Sequence, residues 1–386
     1  MSIAKISTWL SLALLAATNA TAEDGVTDSE ILLGMVNAQS GAASGLGQGM
    51  RAGAQAVFDD VNTHGGIHGR KIRLLVDDDG YEPDRAIDAT LRMIEEQKVF
   101  ALFGYVGTPT ANAVLPIVKE THVPLVGLFT GAMTLRQPVV PEVINIRASY
   151  FDEAERLVTY FIENGGAKRF AVFYQDDGFG LAVLAGVEHA LQRRKMDIVA
   201  KGTFQRGTTA VRAGLAAIIE AKPDVVIMVG PYTPLAEFIH NAKSEQLKAR
   251  LGTVSFVGAD NLVALAGSDG DGVLVSEVVP FPGSSDQPVV RECASLLRKA
   301  APQATLGFVN LEGCITAKAM VLGLQRSGTD LTRPRLLAAM ESIRDVDIGG
   351  MRLNLAPDNH QASKAVFLTR LAHGAIQSLE GVTPGH

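Results

Sequence analysis

The sequence predicts an α/β protein of two lobes, each built on a mostly parallel sheet. Three observations carry that expectation. Short apolar runs alternate with longer amphipathic stretches along most of the chain. Those runs are nearly continuous rather than alternating, as expected of strands buried on both faces. With 386 residues the chain is too long for one small core and suits two lobes of ordinary size.

In the first series, residues 31–36 (ILLGMV), 72–76 (IRLLV), 99–103 (VFALF) and 124–128 (PLVGL) read as strands. Between them, residues 48–63, 83–97 and 110–121 carry apolar positions at helical spacing, as in Ala86, Ala89, Met93 and Ile94. The order is βαβαβαβ. A second series follows Arg147, with strands at 170–174, 225–229 and 254–257 and helices at 150–163, 181–194, 211–221 and 234–246. Pro223 marks a helix-to-strand boundary, because proline disfavours helix in the residue before it. The last portion gives a strand at 273–279, helices at 289–300, 311–326 and 333–342, and a terminal β pair at 351–355 and 366–371.

At the N-terminus, Lys5 precedes an apolar stretch at 9–17 and the small-residue triplet Ala20, Thr21, Ala22. This is the pattern of a signal peptide, residues 1–22, cleaved after Ala22. The apolar stretch falls short of the roughly 20 residues that span a bilayer. No cysteine precedes Cys293, so no N-terminal thiol is there to carry a lipid. The expectation is a soluble periplasmic protein with no membrane anchor. Apolar residues make up 47% of the chain and 39 residues are glycine, which fits a globular, turn-rich fold. The net charge of -6 is spread without a long basic run, so nucleic acid is not an expected partner.

Several motifs carry little. Gly47, Gly49 and Ala52 satisfy a loose dinucleotide pattern, but some ten residues of loop separate them from the strand that should deliver the phosphate turn. His64 and His68 flank Gly65 and Gly66, a turn rather than a zinc-binding helix. The Asp77-Asp78-Asp79-Gly80 run lacks the spaced ligands of a calcium loop. There is no GxSxG and no HExxH, so neither enzyme chemistry nor a cofactor is expected. Cys293 and Cys314 sit on consecutive predicted helices of an exported chain. They are either a disulfide or two buried thiols, and the sequence leaves both open.

In order and at matching spacing, the chain carries Ile31-Leu32-Leu33 with Ser40-Gly41 and Gly53-Ala54, then Val61-Asn62 with Gly65-Gly66-Ile67-His68-Gly69-Arg70, then Asp78-Asp79 with Pro83. Phe103-Gly104-Tyr105, Pro124-Leu125-Val126-Gly127, Tyr174-Gln175-Asp176 and Phe256-Val257-Gly258 follow. Together these resemble the branched-chain amino-acid (Leu/Ile/Val-binding) type of periplasmic solute-binding protein of ABC transporters. The resemblance implies a type I periplasmic-binding-protein fold, two Rossmann-like lobes joined by three hinge strands. The hinges then fall near Arg147, Glu277 and Val346. Residues 23–147 with 277–345 form the first lobe, 148–276 with 346–378 the second, and 379–386 a tail.

The same resemblance implies a monomer that captures a small polar solute for permease subunits in the inner membrane. It places the solute carboxylate on hydroxyls and amides of two loops, Gly107-Thr108-Pro109 and Phe129-Thr130-Gly131. It assigns Phe179 and Tyr232 to cleft walls and Asp260 to the solute ammonium, with Tyr105 and Tyr150 near the cleft edge. Helix capping by Thr108, Thr130 or Asp260, and plain packing by the aromatics, stay open beside these roles. Phe129-Thr130-Gly131-Ala132 with Arg147-Ala148-Ser149-Tyr150 looks like a sub-branch that binds other carboxylates, aromatic ones among them. A periplasmic sensory subunit is the other alternative.

Overall fold

The structure is a computed structural model and describes residues 23–284 and 286–379. The expected signal peptide, its cleavage point and the last seven residues of the expected tail lie outside the described residues.

The first stretch of chain runs β1 (Glu30–Asn37), α1 (Ser44–Thr63), β2 (Lys71–Asp78), α2 (Pro83–Leu91), β3 (Ala101–Phe103), α3 (Thr108–Thr121), β4 (Leu125–Val126) and β5 (Val143–Ile144). The second runs α4 (Tyr150–Glu163), β6 (Phe170–Gln175), α5 (Gly178–Gln192), β7 (Ile198–Phe204), α6 (Arg212–Ala221), β8 (Val225–Val229), α7 (Tyr232–Ser244), β9 (Arg250–Thr253), α8 (Ala259–Ala266) and β10 (Leu274–Glu277). Then come α9 (Pro288–Ala300), α10 (Phe308–Arg326), α11 (Arg333–Glu341), β11 (Val346–Asp347), β12 (Arg352–Leu353), β13 (Phe367–Ala372) and β14 (Ala375–Ser378).

One sheet has the order β2-β1-β3-β4-β5, and every pair in it is parallel. The other has the order β14-β13-β10-β9-β8-β6-β7, parallel except where β13 joins β10 and β14. These are the two expected α/β lobes. The central strand β8, VVIMV, is buried at every position, which is why it reads as an unbroken apolar run. Local chemistry sets the helix starts. Ser149 and Asp152 form a capping box on α4, and the Asp177 carboxylate accepts from the Phe179 amide to start α5. Prolines open α2 and α9 in the first turn, where their missing N–H costs nothing.

In the first lobe α1 packs against α9 and α10 as one layer, and α2 packs on α3 as the other. Gly47 and Gly49 of the loose dinucleotide pattern, and Gly53 after it, allow close approach at α1. A Cβ at Gly47 would lie 1.9 Å from the Ala38 carbonyl oxygen. One at Gly49 would lie 2.7 Å from Val309, and one at Gly53 1.8 Å from the Asn310 carbonyl of α10. Cys293 on α9 and Cys314 on α10 are joined by a disulfide, with Cα atoms 6.0 Å apart.

The chain passes from one sheet to the other after β5 and leaves the second sheet after β10. The third crossing departs from the expected Val346. The β11–β12 hairpin stays on the first lobe, held by the Val289 amide of α9 donating to the Gly349 carbonyl at 2.9 Å. Its turn is fixed by Asp347, which accepts from the Gly349 and Gly350 amides at 2.8 and 2.6 Å. The expected pairing of 351–355 with 366–371 is therefore replaced, since β12 pairs with β11 and β13 with β10 and β14. The crossing follows within 354–366. It runs beside the first one, Asn145 donating to the His360 carbonyl and accepting from Ala362, both at 2.8 Å.

Candidate functional site

The carboxyl ends of β3 and β4 bring two loops of the first lobe together. Gly107 has φ 107, a value that favours glycine, and a Cβ there would strike the Tyr81 ring at 2.3 Å. The Gly107 amide donates to the Phe129 carbonyl at 3.2 Å and the Phe129 amide to the Tyr105 carbonyl at 2.7 Å. This pairing sets Thr108 beside Thr130, hydroxyl to hydroxyl at 2.7 Å, both fully buried. Pro109 occupies the first turn of α3. Gly131 accepts from the Tyr150 amide at 2.8 Å and leaves no room for a Cβ.

Aromatic rings of both lobes meet at these loops. Phe256 lies 5.8 Å from Tyr81 and 5.6 Å from Phe129, across the lobe boundary, and 4.4 Å from Phe179. Phe179 lies 5.5 Å from Tyr150. Tyr105 does not join them. Its hydroxyl bonds Thr90 at 2.8 Å inside the first lobe, so its expected place at the cleft edge is corrected to the core. Tyr232 accepts from the Gly45 amide of the facing lobe at 3.0 Å. Asp260, in the first turn of α8, accepts from the Phe308 amide at 2.7 Å and so caps α10 of the opposite lobe rather than its own helix.

Other contacts close the mouth of the cleft. Arg206 of the second lobe donates to the Tyr81 carbonyl at 2.9 Å and pairs with Glu82 at 3.1 Å. Gln175 donates to the Tyr81 hydroxyl at 3.2 Å. A small recess, open to solvent, lies beside them between Ala42, Tyr81, Glu82, Gln175, Arg206 and Thr233.

Beneath the rings sits a buried ion cluster. Arg147, 2% exposed, holds Glu153 at 3.2 Å and Glu312 at 3.3 Å, meets the Ser255 hydroxyl, and stacks its guanidinium 4.7 Å from the centre of the Phe129 ring. Glu153 also accepts from the Ser255 amide at 2.8 Å and the Ser276 hydroxyl at 2.8 Å. Arg136 donates to the Ala132, Thr130 and Arg147 carbonyls at 2.9, 3.0 and 3.4 Å. Burial, with the Arg147 charge added, pulls its guanidinium down to about 9.

Sequence reasoning missed Tyr81 and Phe256. Tyr81 follows the acidic turn with φ 66, held by Asp79 accepting its amide at 2.7 Å. The only signal was the Asp79-Gly80 turn itself. Phe256 was read within a strand over 254–257, but β9 ends at Thr253 and residues Ser255–Val257 form a 3-10 turn. The Asp77–Asp79 run has structural partners: Asp77 pairs with Arg92 at 2.6 Å and Asp78 accepts from the Gln39 and Gly80 amides. His64 and His68 each bond a backbone carbonyl.

Among the buried carboxyls, Glu312 and Asp79 carry a pH dependence. Burial pushes both Glu312 and Asp79 up to about 7. Unfolded, such groups lose their protons near pH 4. Between about pH 4.5 and 7 the folded protein therefore holds more protons, and stability falls as pH rises. Urea unfolding across this range should show a declining midpoint in the wild type and a flatter one in Glu312→Gln. A midpoint that rises from pH 5 to 7 in both would contradict the assignment.

Two doubly wound lobes facing each other form a cleft of the kind that holds a small molecule. The periplasmic binding protein family matches residues 30–375, and the chain belongs to that family. A possible leucine/isoleucine/valine-binding protein from Rhodopirellula baltica superposes with a TM-score of 0.88 at 35% identity, covering 95% of this chain and 100% of that one. An amino acid binding protein of Pseudomonas aeruginosa is 22% identical over 62% of this chain and 64% of its own length, a little under two thirds. A leucine-specific-binding protein of Salmonella typhimurium is 21% identical over 86% of this chain and 87% of its own.

Proposed function

We propose that this chain is the periplasmic solute-binding component of an ABC importer, delivering a small carboxylate-bearing solute to permease subunits of the inner membrane. The first candidate is an amino acid of the branched-chain class. The observation that carries the reading is the Thr108–Thr130 pair at adjoining strand ends, next to Phe129, whose ring meets Phe256 across the lobe boundary. Open parallel sheets bind ligands at the carboxyl ends of their strands, and helix starts such as that of α3 favour an anion. The names carried by the relatives support an amino acid. A signal-peptide pattern before Glu23 supports export.

The ring cluster of Tyr81, Phe129, Tyr150, Phe179 and Phe256 favours a second reading, an aromatic carboxylate. A thermal-shift screen of amino acids and aromatic acids tests both. A ligand at about 100 times its dissociation constant adds roughly 2.7 kcal/mol to stability. The expected result is a raised midpoint with one class, abolished in Thr108→Val. No shift with either class would overturn both readings.

A further inference from the structure

We propose that Tyr81 is the gate of the cleft, a first-lobe ring that the second lobe locks over the loop at Gly107 and Thr108, so that Arg206 and Gln175 set how slowly a solute leaves. The inference rests on the reading of the cleft as a solute site and goes beyond it, because neither Arg206 nor Gln175 needs to touch the solute. Tyr81 lies in the turn between β2 and α2 and is 5% exposed. Its ring rests on the backbone of Gly107, where a Cβ would come within 2.3 Å of it, one residue before the Thr108 that pairs with Thr130.

Tyr81 is held from both lobes. Its φ of 66 lies in the left-handed region, costly for a residue with a bulky side chain, and the Asp79 carboxylate supports it by accepting the Tyr81 amide at 2.7 Å. The carbonyl accepts from Arg206 at 2.9 Å and the hydroxyl from Gln175 at 3.2 Å, both of the second lobe. One carboxylate aims both donors. Asp177 accepts from Gln175 at 2.6 Å, pairs with the Arg206 guanidinium at 3.5 Å, and receives the Phe179 amide at 2.9 Å where α5 starts.

The recess beside these contacts opens to solvent, so the gate stands on the way out of the cleft. With the lobes apart, Tyr81 keeps the Asp79 bond but loses Arg206, Gln175 and the Phe256 ring, which lies 5.8 Å away when they meet. Its side chain is then free to swing off Gly107, and a solute enters an unlocked cleft. With the lobes together the carbonyl and the hydroxyl are both fixed, and the solute leaves only after those bonds break. Contacts made in the closed state alone act on departure rather than on arrival. Arg206 and Gln175 are thus positioning residues that act on the solute through Tyr81.

The test is stopped-flow kinetics with L-leucine and 3-phenylpropanoate as probes, one for each reading of the solute. Closure is followed by energy transfer between dyes on Asp88→Cys of α2 and Ala216→Cys of α6, exposed positions on opposite lobes. Arg206→Gln, which removes a charge-assisted bond, is expected to raise the dissociation rate constant of the bound probe about tenfold and to leave association within about twofold. Arg206→Lys should recover part of that loss. Tyr81→Phe lacks only the hydroxyl and should speed dissociation about threefold. Tyr81→Gly adopts the same φ without strain and keeps the carbonyl for Arg206, yet it removes the ring, so dissociation should rise about tenfold or more. Unfolding midpoints check that each variant is folded.

Glu82→Gln separates the gate from a plain ion pair, since Glu82 also meets Arg206 at 3.1 Å but is half exposed. This variant should leave dissociation within about twofold. Equal acceleration by Glu82→Gln and Arg206→Gln, with none from either Tyr81 variant, would overturn the gate in favour of an ion pair that merely holds the lobes. Slower association with unchanged dissociation in Arg206→Gln would overturn it as well, while leaving a solute receptor standing. Binding of neither probe would remove the solute-site reading and the gate with it.

Discussion

Arg147→Met is expected to destabilise the protein by about 3–5 kcal/mol at pH 7.5, the cost typical of breaking a buried ion pair by removing one partner. The side chain is 2% exposed and serves two carboxylates on different lobes, Glu153 of α4 and Glu312 of α10. Methionine fills much of the volume and supplies no charge. The two carboxylates should suffer unequally. Glu153 keeps the Ser255 amide and the Ser276 hydroxyl, whereas Arg147 is the ion-pair partner of Glu312. Glu312 already titrates at about 7, so acid neutralises the group most exposed by the change. The penalty should accordingly shrink between pH 7.5 and pH 5.5, and Arg147→Met/Glu312→Gln should recover part of it. Urea midpoints for the three proteins at both pH values decide the matter. A single variant as stable as wild type at pH 7.5 would falsify the hub.

The second large loss is expected on removing the disulfide. Cys293 and Cys314 are 21 residues apart, and closing a loop of that size is worth about 3 kcal/mol in the chain-entropy account. The link ties α9 to α10, two helices of the layer that packs on α1. Cys293→Ala/Cys314→Ala should unfold several degrees below wild type, and reductant should lower the wild-type midpoint toward that of the variant. The reductant must have no effect on the variant. Equal midpoints for oxidised wild type and variant would show that the bond constrains nothing the fold does not already fix.

The expected architecture of two α/β lobes was legible because strands such as β6 and β8 are buried on both faces and write themselves as apolar runs. What failed did so for local reasons. The edge strand β7 was missed, since exposed Lys201 and buried Gly202 interrupt its apolar pattern. The segment at 254–257 is apolar without being a strand, because Glu153 draws the Ser255 amide and hydroxyl out of the ladder direction. The third crossing was misplaced because periodicity sees a hairpin's strands but not which lobe they lie on. In the site, the loops around Thr108 and Thr130 were reachable from strand ends and the family resemblance. Tyr81, Phe256 and Glu312 were not, because the two lobes bring together residues that no spacing in the chain relates.

The bond between Asp260 and the Phe308 amide gives α10 a cap that belongs to the other lobe. The first turn of a helix always leaves backbone donors in need of partners. Here one of them is satisfied only while the lobes are together, since Asn310 serves the Gly307 amide next to it. Each separation of the lobes hands the Phe308 N–H to water. The start of α10 thus works as a gauge, its hydrogen exchange registering how long the molecule spends open, at a position with no need to touch the solute.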